Sequence, residues 1–351
     1  MKGERPGLRL DLSKGRVEMI HGSGGRASTQ LVEEVFLPAF DNPWLREKGD
    51  QAQLALSEGR WAMSTDTYVI SPTFFPGGDI GSLSVHGTVN DLAMGGASPL
   101  YMTAGFVLEE GFPLADLVRI VRSMGKAARE CGVSLVAGDT KVVERGKGDG
   151  IYINTAGIGR VPQGLRLDPA AIRPGDSVLL SGPMGDHGAS VLAARENVAI
   201  ASSLCSDSAP LHDLVAAMVE AGPGLVCLRD PTRGGVATTL NEWARSSGLA
   251  FEIEEAQIPV RPEVQGVSEL LGIDPLYLAN EGRLLAVCRP EAADRLLQAM
   301  RDHPAGREAV VIGGVARGRP ACPGGSVRMK TLMGGMRTVD WLLGDPLPRI
   351  C

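Results

Sequence analysis

Residues 160–176 crowd proline, glycine and charge between two halves that each alternate short apolar runs with helical ones. A segment of that composition is an exposed connector rather than a packed element. It predicts an N-terminal domain over 1–162 and a C-terminal domain over 170–343, leaving 344–351 as a mobile tail. A length of 351 residues suits two domains. Alternation of strands and helices on both sides of the connector sets the fold class as α/β or α+β.

The local patterns give the pieces. Leu117, Val118, Val121, Met124 and Ala128 recur at helical spacing over 114–130, and Cys131-Gly132 ends that run. Residues 61–70 suit a bent strand or a strand pair, 133–137 a short apolar strand, and 151–158 another. In the second half, strands are expected at 177–180 and 284–287, with helices near 210–221, 235–246 and 291–302. Leu211, Leu214, Val215 and Met218 face one way in the first of these helices, and Gly222 stops it. With 46 glycines and only 4% aromatics, the core must be aliphatic and the turns tight.

Lys and Arg number 35 against 41 Asp and Glu, a net charge of -6 that argues against a basic nucleic-acid binder. An acidic chain that holds a polyanion does so with Mg²⁺ or with backbone N–H groups. No run approaches the roughly 18–20 apolar residues of a membrane span. The opening Met1-Lys-Gly-Glu-Arg-Pro6 lacks a signal-peptide core, so a cytoplasmic location is expected. Cys131, Cys205, Cys227, Cys288, Cys322 and Cys351 form no C-x-x-C pair, so neither a zinc knuckle nor a redox motif is indicated. The first five read as packed or inert thiols. Cys351 is the last residue, where packing is no ready explanation.

Asp50, Asp66, Asp91, Asp139 and Asp230 each sit in a turn-like place. Singly, an Asp there can be punctuation. Together they suit a Mg²⁺–phosphate site, since Mg²⁺ takes one or two carboxylates plus water and phosphate oxygens. Gly138-Asp139-Thr140-Lys141 follows an apolar strand, and if extended it points Asp139 and Lys141 to one face. That pair either contacts metal and phosphate or is a surface ion pair. The glycine-rich segments 21–25 and 181–188 could cradle phosphate at a helix start or serve as tight connections. Neither is a P-loop or G-x-G-x-x-G. His21, His86 and His187 have no helical metal spacing and read as structural. Glu281, entering a strand, is a candidate general base. The tail Gly344-Asp-Pro-Leu-Pro-Arg-Ile-Cys351 has little to pack and would reach roughly 25 Å when extended. Its thiol is either a swinging carrier or fortuitous. The α-carboxylate disfavours the thiolate and Arg349 partly opposes that.

Several motifs now fall in order: Phe75-Pro-Gly-Gly-Asp-Ile-Gly81, Gly87-Thr-Val-Asn-Asp-Leu-Ala93, Gly138-Asp-Thr-Lys-Val-Val-Glu144, Gly185-Asp-His-Gly188, Asp230-Pro-Thr-Arg233, Ile258-Pro-Val-Arg-Pro-Glu263 and Ala279-Asn-Glu-Gly282. With the terminal Pro-Arg-Ile-Cys, they make the chain resemble the HypE family of hydrogenase maturation factors, carbamoyl dehydratases of the aminoimidazole ribonucleotide synthetase-like superfamily. The resemblance runs from about residue 18 to the end. It implies a homodimer whose N-terminal domains share a β-barrel, a C-terminal α+β layer, and ATP between the two. It further implies that a carbamoyltransferase, HypF, loads Cys351. ATP then drives dehydration of the S-carboxamide to a thiocyanate, and cyanide passes to iron on a HypC–HypD complex. By matching motif, Glu281 and Lys141 contact and deprotonate the carbamoyl group, with Glu281 favoured as base and Lys141 left in either role. Asp66, Asp91, Gly138, Asp139, Thr140, Asp230 and Asn280 are implied at the nucleotide, and Asp50, Asp91 and Asp230 at Mg²⁺. The family's Asp-Asp-Gly/Ala is Gly49-Asp50-Gln51-Ala52 here, one carboxylate fewer. Two rivals are a small-molecule kinase or synthetase of the same superfamily and a non-catalytic scaffold whose tail docks a partner. Selenophosphate synthetases would need a reactive Cys near the N-terminal glycine segment, and the first here is Cys131.

Overall fold

The computed structural model describes residues 9–47, 49, 51–196, 203–318, 324–342 and 348–351, so Asp50, Cys322 and tail residues 344–347 lie outside it. The chain opens with short helices α1 (Gly25–Leu31), α2 (Leu37–Phe40) and α3 (Pro43–Glu47). Strand β1 (Arg60–Tyr68) and the small hairpin of β2 (Phe74–Phe75) and β3 (Gly78–Asp79) lead into α4 (Ile80–Met94). Then come β4 (Ser98–Glu109), α5 (Leu114–Glu130), β5 (Ser134–Val143) and β6 (Ile151–Val161). The first sheet has the order β1-β6-β4-β5, with β4 and β5 parallel across the α5 crossover and the other pairs antiparallel.

The second half starts with β7 (Ser177–Leu180), α6 (Asp186–Arg195), α7 (His212–Glu220), β8 (Leu225–Arg229) and α8 (Gly235–Ser247). It continues through β9 (Ala250–Glu254), α9 (Pro262–Leu271), β10 (Leu285–Cys288), α10 (Ala293–Asp302), β11 (Val310–Ala316), β12 (Ser326–Lys330) and β13 (Met336–Thr338). Its sheet has the order β13-β12-β9-β11-β7-β10-β8, antiparallel except for β12 on β9. Among the described residues no helix is long and apolar enough to cross a membrane.

Amphipathic elements match the expectation. α5 covers 114–130 and buries Leu117, Val121, Met124 and Ala128. α7 buries Leu214, Val215 and Met218. Two elements beside the site go beyond the expectation. α4 is buried on nearly every side, so its apolar residues form no 3.6-residue stripe for a pattern to reveal. It is started by Asp79, whose Oδ1 accepts from the N–H groups of Gly81 and Ser82. The expected strand 133–137 runs on to Val143, because β4 supplies a long parallel partner. Asp139 and Lys141 therefore lie within a strand, and on one face as expected.

That face of the first sheet is not covered by helices. α4 and α5 pack on the other, where Met102, Ala104, Phe106 and Leu108 of β4 are buried. The uncovered side carries Met63 (75% exposed), Leu100 and Val107 (each 37%). Both edge strands, β1 and β5, also lack a second neighbour.

Candidate active site

The chain places a polar cavity of about 400 Å³ against β1, α4, the end of β8 with the connection after it, and the chain end. From β1 comes Asp66, and from one face of α4 come Gly87 and Asp91, four residues apart. A Cβ at Gly87 would collide with the Tyr68 hydroxyl, so only glycine lets α4 lie this close to β1. The β8–α8 connection adds Asp230 and Arg233, and the turn before β10 adds Glu281. Cys351 closes the wall.

Glu281 is held from behind. Its N–H and that of Gly282 donate to the Asp207 carboxylate, each at 3.2 Å, and its carbonyl accepts from Asn90 Nδ2 at 3.2 Å. Gly282 is required there, since a Cβ would run into the Asp207 carbonyl. The Glu281 side chain is 3% exposed, and its Oε1 has no hydrogen-bond partner among the described residues. Burial, then the charges of Asp230 and Asp207, hold its carboxyl well above the usual range. Burial and the charge of Asp91 raise Asp230 to about 7. Asp91 is raised by burial and by Asp66, against a 2.6 Å hydrogen bond from Ser64 Oγ.

Cys351 is 8% exposed. Its carbonyl accepts from Val69 N–H at 3.1 Å and the Arg349 carbonyl from Ser71 N–H at 3.2 Å, so the chain end lies along the segment following β1. Ile350 joins a core cluster drawn from both halves, with Leu83 and Ile80 from the first and Val191 and Leu278 from the second. The expectation that the tail has little to pack fails for these residues, because a single large aliphatic side chain suffices to seat them. Arg349 takes φ 54°, a left-handed kink costing about 1–2 kcal/mol for a side chain with a Cβ. Its guanidinium offsets that by donating to the Val69 carbonyl and pairing with Asp149. Arg349 therefore turns away from the sulfur. Burial pushes the thiol up, Glu281 adds to this, and Arg233 is the cation that opposes it. Arg233 was legible only as a motif residue, with no signal for its place beside the sulfur.

The remaining expected residues divide differently. Gly138, Asp139, Thr140 and Lys141 line a second cavity of about 420 Å³, together with the glycine-rich segment at 21–25. Lys141 Nζ pairs with Asp139 at 2.9 Å on the exposed sheet face, which holds the Asp139 carboxyl below its ordinary range. In one chain, then, Lys141 and Glu281 do not share a cavity. Asn280 is fully buried. Its amide donates to the carbonyls of Pro231 and Leu278 and its oxygen accepts from Gly185 N–H, so its polar atoms brace the Glu281 turn instead of facing a nucleotide. The segment 181–188 lies buried at the start of α6 and serves as a connection.

Among the described residues no three His, Cys, Asp or Glu side chains converge tightly enough to hold a metal ion unaided. Asp66, Asp91 and Asp230 around one polar cavity still fit Mg²⁺, which asks for a carboxylate or two and leaves its other positions to water and phosphate. Their crowding has a measurable cost. Asp230 binds its proton more tightly folded than unfolded, so stability falls as pH rises from about 4 to about 7. Mg²⁺ with ATP is expected to raise the melting temperature more at about pH 8 than at about pH 5, as thermal unfolding at both pH values would show. Equal shifts would mean that the acids do not face the cation.

Two family models match, the AIR synthase related protein N-terminal domain over residues 48–161 and its C-terminal domain over 173–321. Carbamoyl dehydratase HypE of Azotobacter vinelandii is 60% identical, over 98% of this chain and 99% of the relative. A crystal structure of hydrogenase maturation protein HypE in complex with ATP superposes with a TM-score of 0.91 at 49% identity, covering 95% of this chain and 99% of that one. A crystal structure of a HypE–HypF complex gives 0.77 at 46% identity, covering 89% and 99%. Since the likeness extends over both domains at this identity, the chain belongs to the HypE family of carbamoyl dehydratases, within the AIR synthase related proteins.

Proposed function

We propose that this chain is an ATP-dependent dehydratase acting on a carbamoyl group carried by its own Cys351, to supply cyanide for maturation of a [NiFe] hydrogenase. The observation that carries it is the buried pair: a terminal sulfur seated in an acidic cavity beside a carboxylate with an unpartnered oxygen. The S-carboxamide oxygen attacks the γ-phosphorus of ATP, and ADP leaves. Phosphate then leaves from carbon as two N–H protons are lost, giving S–C≡N, ADP, phosphate and a proton. Glu281, with its raised pKa, is the base for the N–H protons. Arg233 faces the negative charge that builds near the sulfur. Asp66, Asp91 and Asp230 would hold Mg²⁺, which when bound supplies charge stabilisation to the phosphates. Burial of Cys351 keeps bulk water from the carbamoyl group.

Loading requires the tail end, Pro348 to Cys351, to leave this seat. The partners are a HypF-type carbamoyltransferase for loading and a HypC–HypD iron scaffold for delivery. The working state is a cytoplasmic homodimer closed through the uncovered face of the first sheet. The test is the intact mass after incubation with carbamoyltransferase, carbamoyl phosphate and ATP. The C-terminal peptide should gain one carbamoyl group and then lose one water. A peptide that gains nothing would leave a scaffold, not an enzyme.

A further inference from the structure

His187 stands at the start of α6, wholly buried, with the Phe75 ring edge-on at 5.5 Å. Its two nitrogens reach in different directions. Nε2 lies 2.8 Å from the Ile350 carbonyl and Nδ1 lies 2.8 Å from Ser206 Oγ. A carbonyl only accepts, so Nε2 carries the hydrogen and Nδ1 accepts from the Ser206 hydroxyl. Ser206 is itself fixed, since its N–H donates to the Pro76 carbonyl at 2.8 Å and its Oγ accepts from Ser208 N–H at 3.0 Å. The residue between them, Asp207, holds the N–H groups of Glu281 and Gly282. One imidazole therefore touches the arm that carries the sulfur and the loop that sets the carboxylate. At the far end of α6, Arg195 donates to the Pro348 and Arg349 carbonyls at 2.8 and 2.9 Å.

We propose that His187 is a positioning residue that couples seating of the tail to the placement of Glu281. It rests on the reading of Cys351 as carrier and Glu281 as base. With the tail seated, the Ile350 carbonyl fixes the Nε2–H tautomer and leaves Nδ1 free to hold Ser206. When the tail leaves, that buried N–H loses its acceptor. The other tautomer puts a hydrogen on Nδ1, so the Ser206 hydroxyl must rotate its own hydrogen away and accept instead of donate. Seating of the tail thus sets which way the Ser206 hydroxyl points in the loop whose Asp207 holds the Glu281 turn. No proton is gained or lost overall.

Paired substitutions separate the two contacts. Asparagine at 187 reaches only the Nδ1 position, and glutamine only the Nε2 position. His187→Asn should raise alkylation of Cys351 by iodoacetamide roughly three- to tenfold, the share one hydrogen bond contributes to a docking equilibrium. The label is read on the C-terminal peptide by mass spectrometry, because Cys205, unlike the seated Cys351, is exposed and would be labelled in every variant. His187→Gln and Ser206→Ala should leave that alkylation near wild type, yet slow dehydration of the pre-carbamoylated protein about fivefold. Circular dichroism confirms that each variant is folded, and Ser206, only partly buried, is the substitution best tolerated. Wild-type alkylation in His187→Asn would remove the tail contact from the proposal. Wild-type dehydration in both His187→Gln and Ser206→Ala would remove the coupling. If even the unsubstituted protein produced no thiocyanate, the carrier reading would fail, while the alkylation pattern would still report on the latch.

Discussion

Glu281→Gln is expected to stop the chain after loading, with the carbamoylated form accumulating and thiocyanate formation falling about 10²–10⁴-fold, the usual weight of a general base. The swap keeps size and burial and replaces the unpartnered carboxylate oxygen with an amide that cannot take a proton. Backbone contacts to Asp207 and Asn90 do not involve the side chain, so the turn should stay in place. The pH dependence supplies a second readout. Burial and the neighbouring acids raise the carboxyl's pKa, so Glu281 keeps its proton to higher pH than a free glutamate. As a base it works only once deprotonated, so the wild-type rate should climb with pH through that raised value, and the climb should vanish in the variant. Intact mass spectrometry across a pH series measures both. Turnover at the normal rate in Glu281→Gln would take this residue out of the mechanism.

The difference between what the sequence told and what it hid follows from how each signal arises. α5 and α7 were legible because one face meets the core and the other meets water. α4, which carries Asp91, was not, because burial all round erases the period. The acids and Glu281 were found through their motifs, and the structure gathers Asp66, Asp91, Asp230 and Glu281 around one cavity with Cys351. Roles that depend on a partner's position were out of reach. Asn280 sits in the same motif as Glu281, yet its amide is consumed by backbone groups from two other segments. Arg349 is next but one to the sulfur in sequence, yet Arg233, more than a hundred residues away, is the cation beside it. Proximity along the chain misled where the chain turns through a left-handed residue.

Lys141 presents the same problem on a larger scale, and its resolution is a second expected result. It pairs across the sheet with Val107, which pairs with Tyr152, one residue beyond the Tyr68–Ile153 pair and so level with Val69. Val69 is the residue that binds the Cys351 carbonyl. Lys141 therefore stands level with Val69, against which the chain end lies, but three strands away from it, about 14 Å at the usual strand spacing. A lysine side chain does not cross that. Yet β1 and β5 are the two terminal strands of the sheet, and the face they share exposes Met63, Leu100 and Val107. In a homodimer closed through these surfaces, the β5 edge of one protomer comes beside the β1 edge of the other. Lys141 would then serve the partner's sulfur. Lys141→Ala and Glu281→Gln should each be inactive alone, but subunit exchange should restore activity. Random mixing makes half the dimers mixed, and each mixed dimer has one cleft with both residues intact, so about a quarter of wild-type activity should return. Thiocyanate formation after exchange measures it. A mixture as inactive as its parents would place Lys141 in its own chain's chemistry, or outside the reaction.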